Sequence, residues 1–181
     1  MPPRVQGHQG RGQGRGRLGG GAPRLLRLAT HNVGRGLRAH LPLFVQQWVD
    51  HHLDVVLLQE IALHPFQQSQ MEASIISVCR SLDPQHRGFK AYWAFNSNPR
   101  SAGVAVLVRR QLLDHEFRVD EAGIQRSATG RFLALPIHWG GHSLTLINVY
   151  LPNDSTAQQQ FLQHQLIPLF NPPVPALIGG D

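Results

Sequence analysis

The chain has 181 residues, of which 41% are hydrophobic, and this length and composition suit one folded domain. No apolar run approaches the roughly 20 residues that a transmembrane helix needs, and the polar, glycine-rich N-terminus excludes a secretory signal. The single cysteine, Cys79, excludes an internal disulfide and a zinc site built from cysteines, and it fits a reducing compartment.

The formal net charge of +6 favours a polyanionic partner, because cations that neutralise phosphates release counterions. Almost all of the basic residues are arginines, however, and Lys90 is the only lysine. That bias is also typical of proteins from GC-rich genomes. Charge alone therefore leaves both explanations open.

Residues 1–23 form an arginine- and glycine-rich segment with almost nothing apolar to bury. Such a composition predicts a disordered tail. Repeats such as Arg11-Gly12 and Arg15-Gly16 can bind RNA or DNA without sequence preference. A solvated linker, or a start codon placed too early, explains the same composition.

Apolar patterns begin at Leu25. Residues 25–33 are predicted to form a strand, residues 41–52 have helical spacing, and residues 54–59 are a continuous apolar run typical of a buried strand. A second helix is predicted at about residues 66–82. Strands and helices therefore alternate in this half of the chain.

The second half is dominated by strands, with one further helix near its end. Two strands are predicted to form a hairpin across Gly140-Gly141, where positive backbone angles are easily adopted. The predicted strands are residues 89–95, 103–108, 131–138, 143–150 and 174–178, and the predicted helix is residues 157–170. This mixed order predicts an α/β protein in which helices pack on one side of a mixed sheet.

Five polar residues follow or end predicted strands: Asn32, Glu60, Tyr150, Asn153 and Asp181. Layered α/β proteins gather ligands at one rim of the sheet, where strands end. Oxygen atoms from Glu, Asp and Asn suit a hard divalent cation such as Mg²⁺. Each residue alone also fits an ordinary role as a turn former, a loop residue or a packed ring, so the argument depends on their joint order.

Histidines and glycines offer two other candidate sites, and neither fits its pattern. His51 and His52 are adjacent and point in different directions on a helix, while His138 and His142 are separated by a glycine turn, so helical zinc geometry does not apply. The pair Gly34 and Gly36 lacks the third glycine of a dinucleotide-binding loop. No histidine metal site or dinucleotide site is predicted, and Cys79 is expected to be a buried helix residue.

Five stretches together carry a family resemblance. They are THNVGRGL (residues 30–37), DVVLLQE (54–60), SAGVAVLV (101–108), NVYLPN (148–153) and IGGD (178–181). In this order they resemble the endonuclease/exonuclease/phosphatase superfamily, the fold of deoxyribonuclease I and the apurinic/apyrimidinic endonucleases. The longer segments 86–112 and 130–154 are similar to the endonuclease domain of non-LTR retrotransposons.

The resemblance implies a DNase I-like four-layer α/β sandwich. Residues 24–181 would be its N-terminal portion, containing mainly the first sheet with its flanking helices. The second sheet would be mostly absent, and the inner face of the first sheet would then be exposed.

The resemblance also implies metal-dependent phosphodiester hydrolysis with Mg²⁺ or Mn²⁺, DNA as the partner, no membrane, and a nuclear or otherwise intracellular location. Glu60 would be the main metal-binding carboxylate, with Asn32 as its helper. Tyr150 would contact the scissile phosphate or stabilise the leaving oxygen, and Asn153 would help to bind that phosphate. Asp181 would position the nucleophile or assist the leaving group.

The family's later aspartate and its terminal Asp-His pair do not occur in this sequence. We therefore expect this chain by itself to be inactive or nearly so in DNA nicking. Two alternatives remain: another phosphoesterase of the same superfamily, and a non-catalytic gene fragment that at most binds nucleic acid through its arginines.

Overall fold

A computed structural model describes residues 25–98, 102–114, 117–170 and 175–181, so the predicted tail at residues 1–23 lies outside the described part. The strands are β1 (Leu28–Asn32), β2 (Val55–Gln59), β3 (Phe89–Ala94), β4 (Val104–Arg109), β5 (Phe117–Val119), β6 (Gln125–Arg126), β7 (Phe132–Trp139), β8 (His142–Val149) and β9 (Ala176–Gly180). The α-helices are α1 (Leu41–Asp50), α2 (Gln68–Leu82), α3 (Arg110–Leu113) and α4 (Ser155–Phe161).

The first sheet has the strand order β1-β2-β4-β3. Strand β1 runs parallel to β2, and the other two pairings are antiparallel. Helices α1 and α2 cover the outer face of this sheet with apolar side chains spaced three or four residues apart, as an amphipathic helix requires. These buried side chains are Leu41, Val45 and Trp48 from α1, and Met71, Ile75 and Cys79 from α2.

The second sheet has the order β5-β7-β8-β9, with β6 pairing to β7. Strands β7 and β8 form the predicted hairpin, and positive φ angles at Gly140 and Gly141 (55° and 83°) close its turn. Strand β9 runs parallel to β8. Helix α4 and the π-helical turn after it cover the outer face, where Phe161 and Leu166 pack on Ile147.

The two sheets pack face to face, which confirms the α/β class and the layered sandwich. The expectation of an exposed inner face on the first sheet is wrong. Leu57 and Val106 from the first sheet are fully buried against Leu133, Leu135 and Leu146 from the second. The reason is that residues 117–180 supply five strands of the second sheet, far more than was expected.

Several boundaries differ from the sequence prediction. Strand β9 ends at Gly180, two residues beyond the predicted end, so Asp181 follows it directly. The predicted helix at residues 157–170 begins earlier, at Ser155, and changes to a π-helical turn at Leu162 and to a 3-10 turn at Ile167. The short elements α3, β5 and β6 were not predicted. Among the described helices, none combines the length and apolar character needed to cross a bilayer.

Candidate active site

The site lies where strands from both sheets end. Asn32 is the last residue of β1 and pairs with Gln59, the last residue of β2, so Asn32 and Glu60 leave the first sheet at the same rim. The ends of β8 and β9 are paired in the same way, and Tyr150 and Asp181 follow them. Parallel pairing therefore brings four of the predicted residues to one edge of the sandwich.

The Asn32 side chain joins the two sheets through both carboxylates. Its Nδ2 donates to Glu60 Oε1 at 3.0 Å and to Asp181 Oδ2 at 2.6 Å. Its Oδ1 accepts from the backbone N–H of Gly34 at 2.9 Å, which fixes the amide at the end of β1. One amide thus holds two acidic groups that are 121 residues apart in sequence (181 − 60).

The backbone around Glu60 is strained. Glu60, Arg35 and Ala62 have positive φ angles of 55°, 65° and 47°, a region that costs residues other than glycine about 1–3 kcal/mol each. Two backbone hydrogen bonds hold this geometry, from Arg35 N to the Glu60 carbonyl oxygen (3.0 Å) and from Ile61 N to the Gly103 carbonyl oxygen (3.2 Å). The strain turns the Glu60 side chain towards Asn32 at the rim, while Ile61 is buried in the core.

Tyr150 completes the group, and the Glu60 carboxylate acts on its phenol. Burial raises the pKa of Tyr150 above its ordinary value, and the hydrogen bond to Glu60 and the charge of that carboxylate raise it further. Arg131 opposes this effect: its guanidinium lies 5.2 Å from the centre of the Tyr150 ring, and Nη1 donates to the Tyr150 carbonyl oxygen at 3.2 Å. Tyr150 is therefore a neutral hydrogen-bond donor at physiological pH.

A buried amide pair lies directly beneath the rim. Gln59 and Asn148 are 1% and 0% exposed, and Gln59 Nε2 donates to Asn148 Oδ1 at 2.6 Å. Asn148 Nδ2 in turn donates to the carbonyl oxygens of Leu58 and Ala105, both at 2.8 Å. The sequence analysis did not predict this pair. The signal that could have indicated it is the single amide side chain inside each of two apolar strands.

Asn153, the fifth predicted residue, follows Tyr150 by three positions. It is exposed, directly before Asp154, whose side chain accepts from Ala157 N at 2.8 Å and caps α4. Among the hydrogen bonds of the described residues, none joins Asn153 to Asn32, Glu60 or Asp181. A phosphate-binding role for Asn153 therefore stays a prediction.

The oxygen atoms at this rim fit a hard divalent cation. Glu60 and Asp181 bring two carboxylates to one point, and the nearest described guanidinium, Arg35 Nε, lies 3.9 Å from Glu60 Oε2. Two carboxylates leave coordination positions open for water and phosphate. Asn32 presents its nitrogen to the carboxylates and its oxygen to Gly34, so its role as a direct metal ligand stays a prediction.

No competing metal site occurs in the described part of the chain, where no group of three or more His, Cys, Asp or Glu side chains could hold an ion. His138 Nδ1 instead bonds to Ser143 Oγ at 2.8 Å across the hairpin. Cys79 is fully buried, and burial raises the pKa of its thiol to about 12, so it stays protonated at neutral pH.

Comparison with solved structures shows the fold. The endonuclease domain of TRAS1, a telomere-specific non-LTR retrotransposon, is 16% identical, with 87% of this chain and 58% of that chain covered and a TM-score of 0.53. D. rerio TDP2 complexed with single strand DNA product is 16% identical (86% and 60% covered, TM-score 0.58). The AP endonuclease LMAP from Leishmania major is 15% identical (86% and 54% covered, TM-score 0.60).

This chain thus spans between 54% and 60% of the length of these three structures. A comparison with curated proteins gives no significant match. The model of the Endonuclease/Exonuclease/phosphatase family matches residues 29–181, a range that contains both sheets and all five predicted site residues. The chain therefore belongs to the endonuclease/exonuclease/phosphatase family.

Proposed function

We propose that this chain forms part of a metal-dependent phosphodiesterase that nicks DNA, as the endonuclease domain of a retroelement. The single observation that supports hydrolysis most directly is the Asn32 amide, which holds the carboxylates of Glu60 and Asp181 together at 3.0 and 2.6 Å. Acidic groups gathered this closely repel each other unless a cation lies between or beside them. A divalent cation is therefore the natural complement of this site.

Glu60 and Asp181 would hold Mg²⁺ or Mn²⁺, which when bound neutralises charge on the phosphate and lowers the pKa of water. Asn32 keeps the two carboxylates in position. Asp181 uses Oδ2 in the bond to Asn32, so Oδ1 is the oxygen that would face the ion. Tyr150, kept neutral by its raised pKa, can donate a hydrogen bond to a phosphate oxygen as negative charge develops.

DNA is proposed as the substrate on three observations. The net charge is +6, which favours a polyanion. A D. rerio TDP2 structure of the same fold contains a single-strand DNA product, and the TRAS1 structure is a retrotransposon endonuclease domain. Both are only 16% identical to this chain, so they support the substrate and the retroelement origin as proposals.

Metal binding tests the proposal without requiring turnover. We expect wild-type protein to bind Mn²⁺, followed by loss of the free-ion EPR signal, and Glu60→Gln or Asp181→Asn to weaken binding by at least about tenfold, since each removes one of two ligand charges. Asp50→Asn is the matched control, because Asp50 is an exposed carboxylate at the end of α1 whose described partner is Gln46.

Equal Mn²⁺ affinity in wild type and Glu60→Gln would contradict the proposal. The substrate is tested separately on this chain fused after Asp181 to a homologous C-terminal half, because the chain by itself is expected to be inactive or nearly so, with supercoiled plasmid and with a phosphomonoester in the presence of Mg²⁺. If the protein hydrolyses only the monoester, and Glu60→Gln abolishes this activity, the proposed endonuclease function is wrong and the protein is another phosphoesterase of the family.

A further inference from the structure

An exposed pair of stacked rings lies on the segment that follows Glu60. Phe66 is 80% exposed, and the His64 ring stacks on it with a centroid distance of 5.0 Å and an interplanar angle of 18°. A single exposed apolar residue is unremarkable. Here, however, His64 supports one face of the Phe66 ring, while most of the ring is open to solvent. This His64–Phe66 platform has the shape of a surface on which another planar ring can stack.

The platform is held rigidly by its own segment. Ile61 and Leu63 are 1% and 3% exposed and anchor the chain on the core. The His64 N–H donates to Gln67 Oε1, and the Gln67 N–H donates to the His64 carbonyl oxygen, both at 2.9 Å. Because these bonds already order the backbone between the two rings, a ligand that stacks there loses little free energy in organising them.

Two arginines lie near the segment that carries the platform. Arg38 lines a groove of about 70 Å³ together with Leu63 and Gln67, which flank the platform in sequence. Arg35 lies at the start of the segment, 3.9 Å from Glu60. A guanidinium binds a phosphate through charge-assisted hydrogen bonds, and an aromatic ring binds a base by stacking. Arg35 beside Glu60 and the platform on the segment that follows Glu60 offer these two kinds of contact to one nucleotide strand.

The platform also lies close to the candidate active site. Phe66 lies six positions after Glu60 (66 − 60), and a chain of that length spans at most about 20 Å. A DNA strand with one phosphate at Glu60 therefore reaches Phe66 within a few nucleotides.

We infer that the His64–Phe66 platform stacks an unpaired DNA base of the strand whose phosphate lies at Glu60 and Asp181. This inference rests on the phosphodiesterase function proposed above and gives it a preference for single-stranded or locally unpaired DNA. A base inside a duplex is already stacked on both faces and offers no free face to Phe66. His64 is a positioning residue that supports the ring.

The test measures binding of a short fluorescein-labelled DNA single strand by fluorescence anisotropy in the presence of Mg²⁺, since the chain by itself is expected to be inactive or nearly so in nicking. We expect Phe66→Ala and Phe66→Leu to weaken binding by roughly 5- to 150-fold, the range for loss of one stacked base. Phe66→Tyr retains the ring and should bind as wild type does. Ile167→Ala is the matched control, since Ile167 is 60% exposed on the 3-10 turn that follows the π-helical turn on the second sheet.

An abasic oligomer of the same length separates stacking from charge. Wild type and Phe66→Ala should bind the abasic oligomer with equal affinity. Their affinities for a paired hairpin duplex should also be nearly equal. Unchanged binding of the base-containing strand by Phe66→Ala, absence of binding by wild type, or an equal loss with the abasic oligomer would each overturn the inference. Self-association of wild type that Phe66→Ala abolishes would also overturn it, because a second copy would then cover the platform.

Different measurements would contradict the platform and the proposed function. Glu60-dependent Mn²⁺ binding combined with Phe66-independent DNA binding would leave the function standing and remove the platform. Phe66-dependent DNA binding without Glu60-dependent Mn²⁺ binding would remove the function and with it the assignment of the bound strand to a hydrolytic site.

Discussion

At the scale of single residues, the protonation of Tyr150 reports on Glu60. Burial, the hydrogen bond to Glu60 and the negative charge of that carboxylate all favour the neutral phenol over the phenolate. The folded-state pKa therefore lies above the unfolded value of about 10. Its contribution to stability is fully present below pH 10 and is lost as the pH rises through the folded-state pKa.

We predict that Glu60→Gln lowers the pKa of Tyr150, because the substitution removes the negative charge that opposes phenolate formation. The measurement is a titration of phenolate absorbance in a Tyr92→Phe background, since the pKa of Tyr92, the other tyrosine, is also raised by burial. Asp50→Asn should leave the titration unchanged. A Tyr150 titration that does not respond to Glu60→Gln would show that the two side chains do not meet in solution.

Asn32 gives a second prediction at this scale. Asn32→Asp replaces the shared donor by a third carboxylate between Glu60 and Asp181. We expect the variant to unfold at a lower temperature than wild type in EDTA, because like charges repel, and to gain more thermal stability from Mg²⁺, because a ligand of the folded state stabilises it. Differential scanning fluorimetry measures both effects.

Gln46→Glu is the matched control for that experiment. Gln46 is an amide that donates to Asp50 at 2.7 Å on the exposed surface of α1, so the substitution also places a carboxylate against a carboxylate. Its loss of stability should not be rescued selectively by Mg²⁺. Equal Mg²⁺ responses in the two variants would contradict a specific metal site at Asn32.

At the scale of elements, the Gln59–Asn148 pair links the end of β2 to β8. Asn148 makes three hydrogen bonds from a fully buried position, to the Gln59 amide and to two carbonyl oxygens of the first sheet. These bonds fix β8 against β2 immediately before Tyr150 and Glu60 leave their strands. The pair therefore sets how closely the two halves of the site approach.

We predict that Asn148→Leu lowers the free energy of unfolding by roughly 2–4 kcal/mol, since three buried hydrogen bonds of about 1 kcal/mol each lose their partner. Urea unfolding measures the change. Asn96→Leu is the comparison, because Asn96 is a partly exposed amide whose Nδ2 donates to the Thr129 carbonyl oxygen at 2.7 Å. A loss for Asn148→Leu no larger than for Asn96→Leu would mean that the buried amides do not join the sheets.

The helix after β8 shows the limit of sequence periodicity at this scale. The spacing of apolar residues predicted one helix over residues 157–170, and residues of that stretch do pack on the second sheet. Two local features changed its form: Asp154 caps the helix earlier, and Pro168, which has no N–H, lies where the chain becomes a 3-10 turn. The periodicity therefore predicted which face of this segment is buried. It did not predict the change from α-helical to π-helical and 3-10 hydrogen bonding.

At the scale of the whole molecule, the family motifs predicted the rim and missed the second sheet. Asn32, Glu60 and Asp181 could be predicted to meet because each follows a strong apolar strand signal. The second sheet could not be predicted as a separate layer: its strands β7, β8 and β9 were predicted one by one, but strand periodicity does not show which sheet a strand joins, and β5 and β6, with three and two residues, have no periodic pattern of their own. The burial of Gln59 against Asn148 depends on that sheet, so it could not be predicted from the sequence either.

The hydrogen bond between Asn32 and Asp181 joins two residues that are 149 positions apart in the chain. This long separation also bears on the order in which the fold forms. Closing so long a loop is entropically costly, and contacts of this kind form late in folding. Strand β9 can pair only with a β8 that already stands in the second sheet. We therefore expect the acidic rim to be completed after both sheets have formed, so that ion binding at the rim comes at the end of the folding reaction rather than at its beginning.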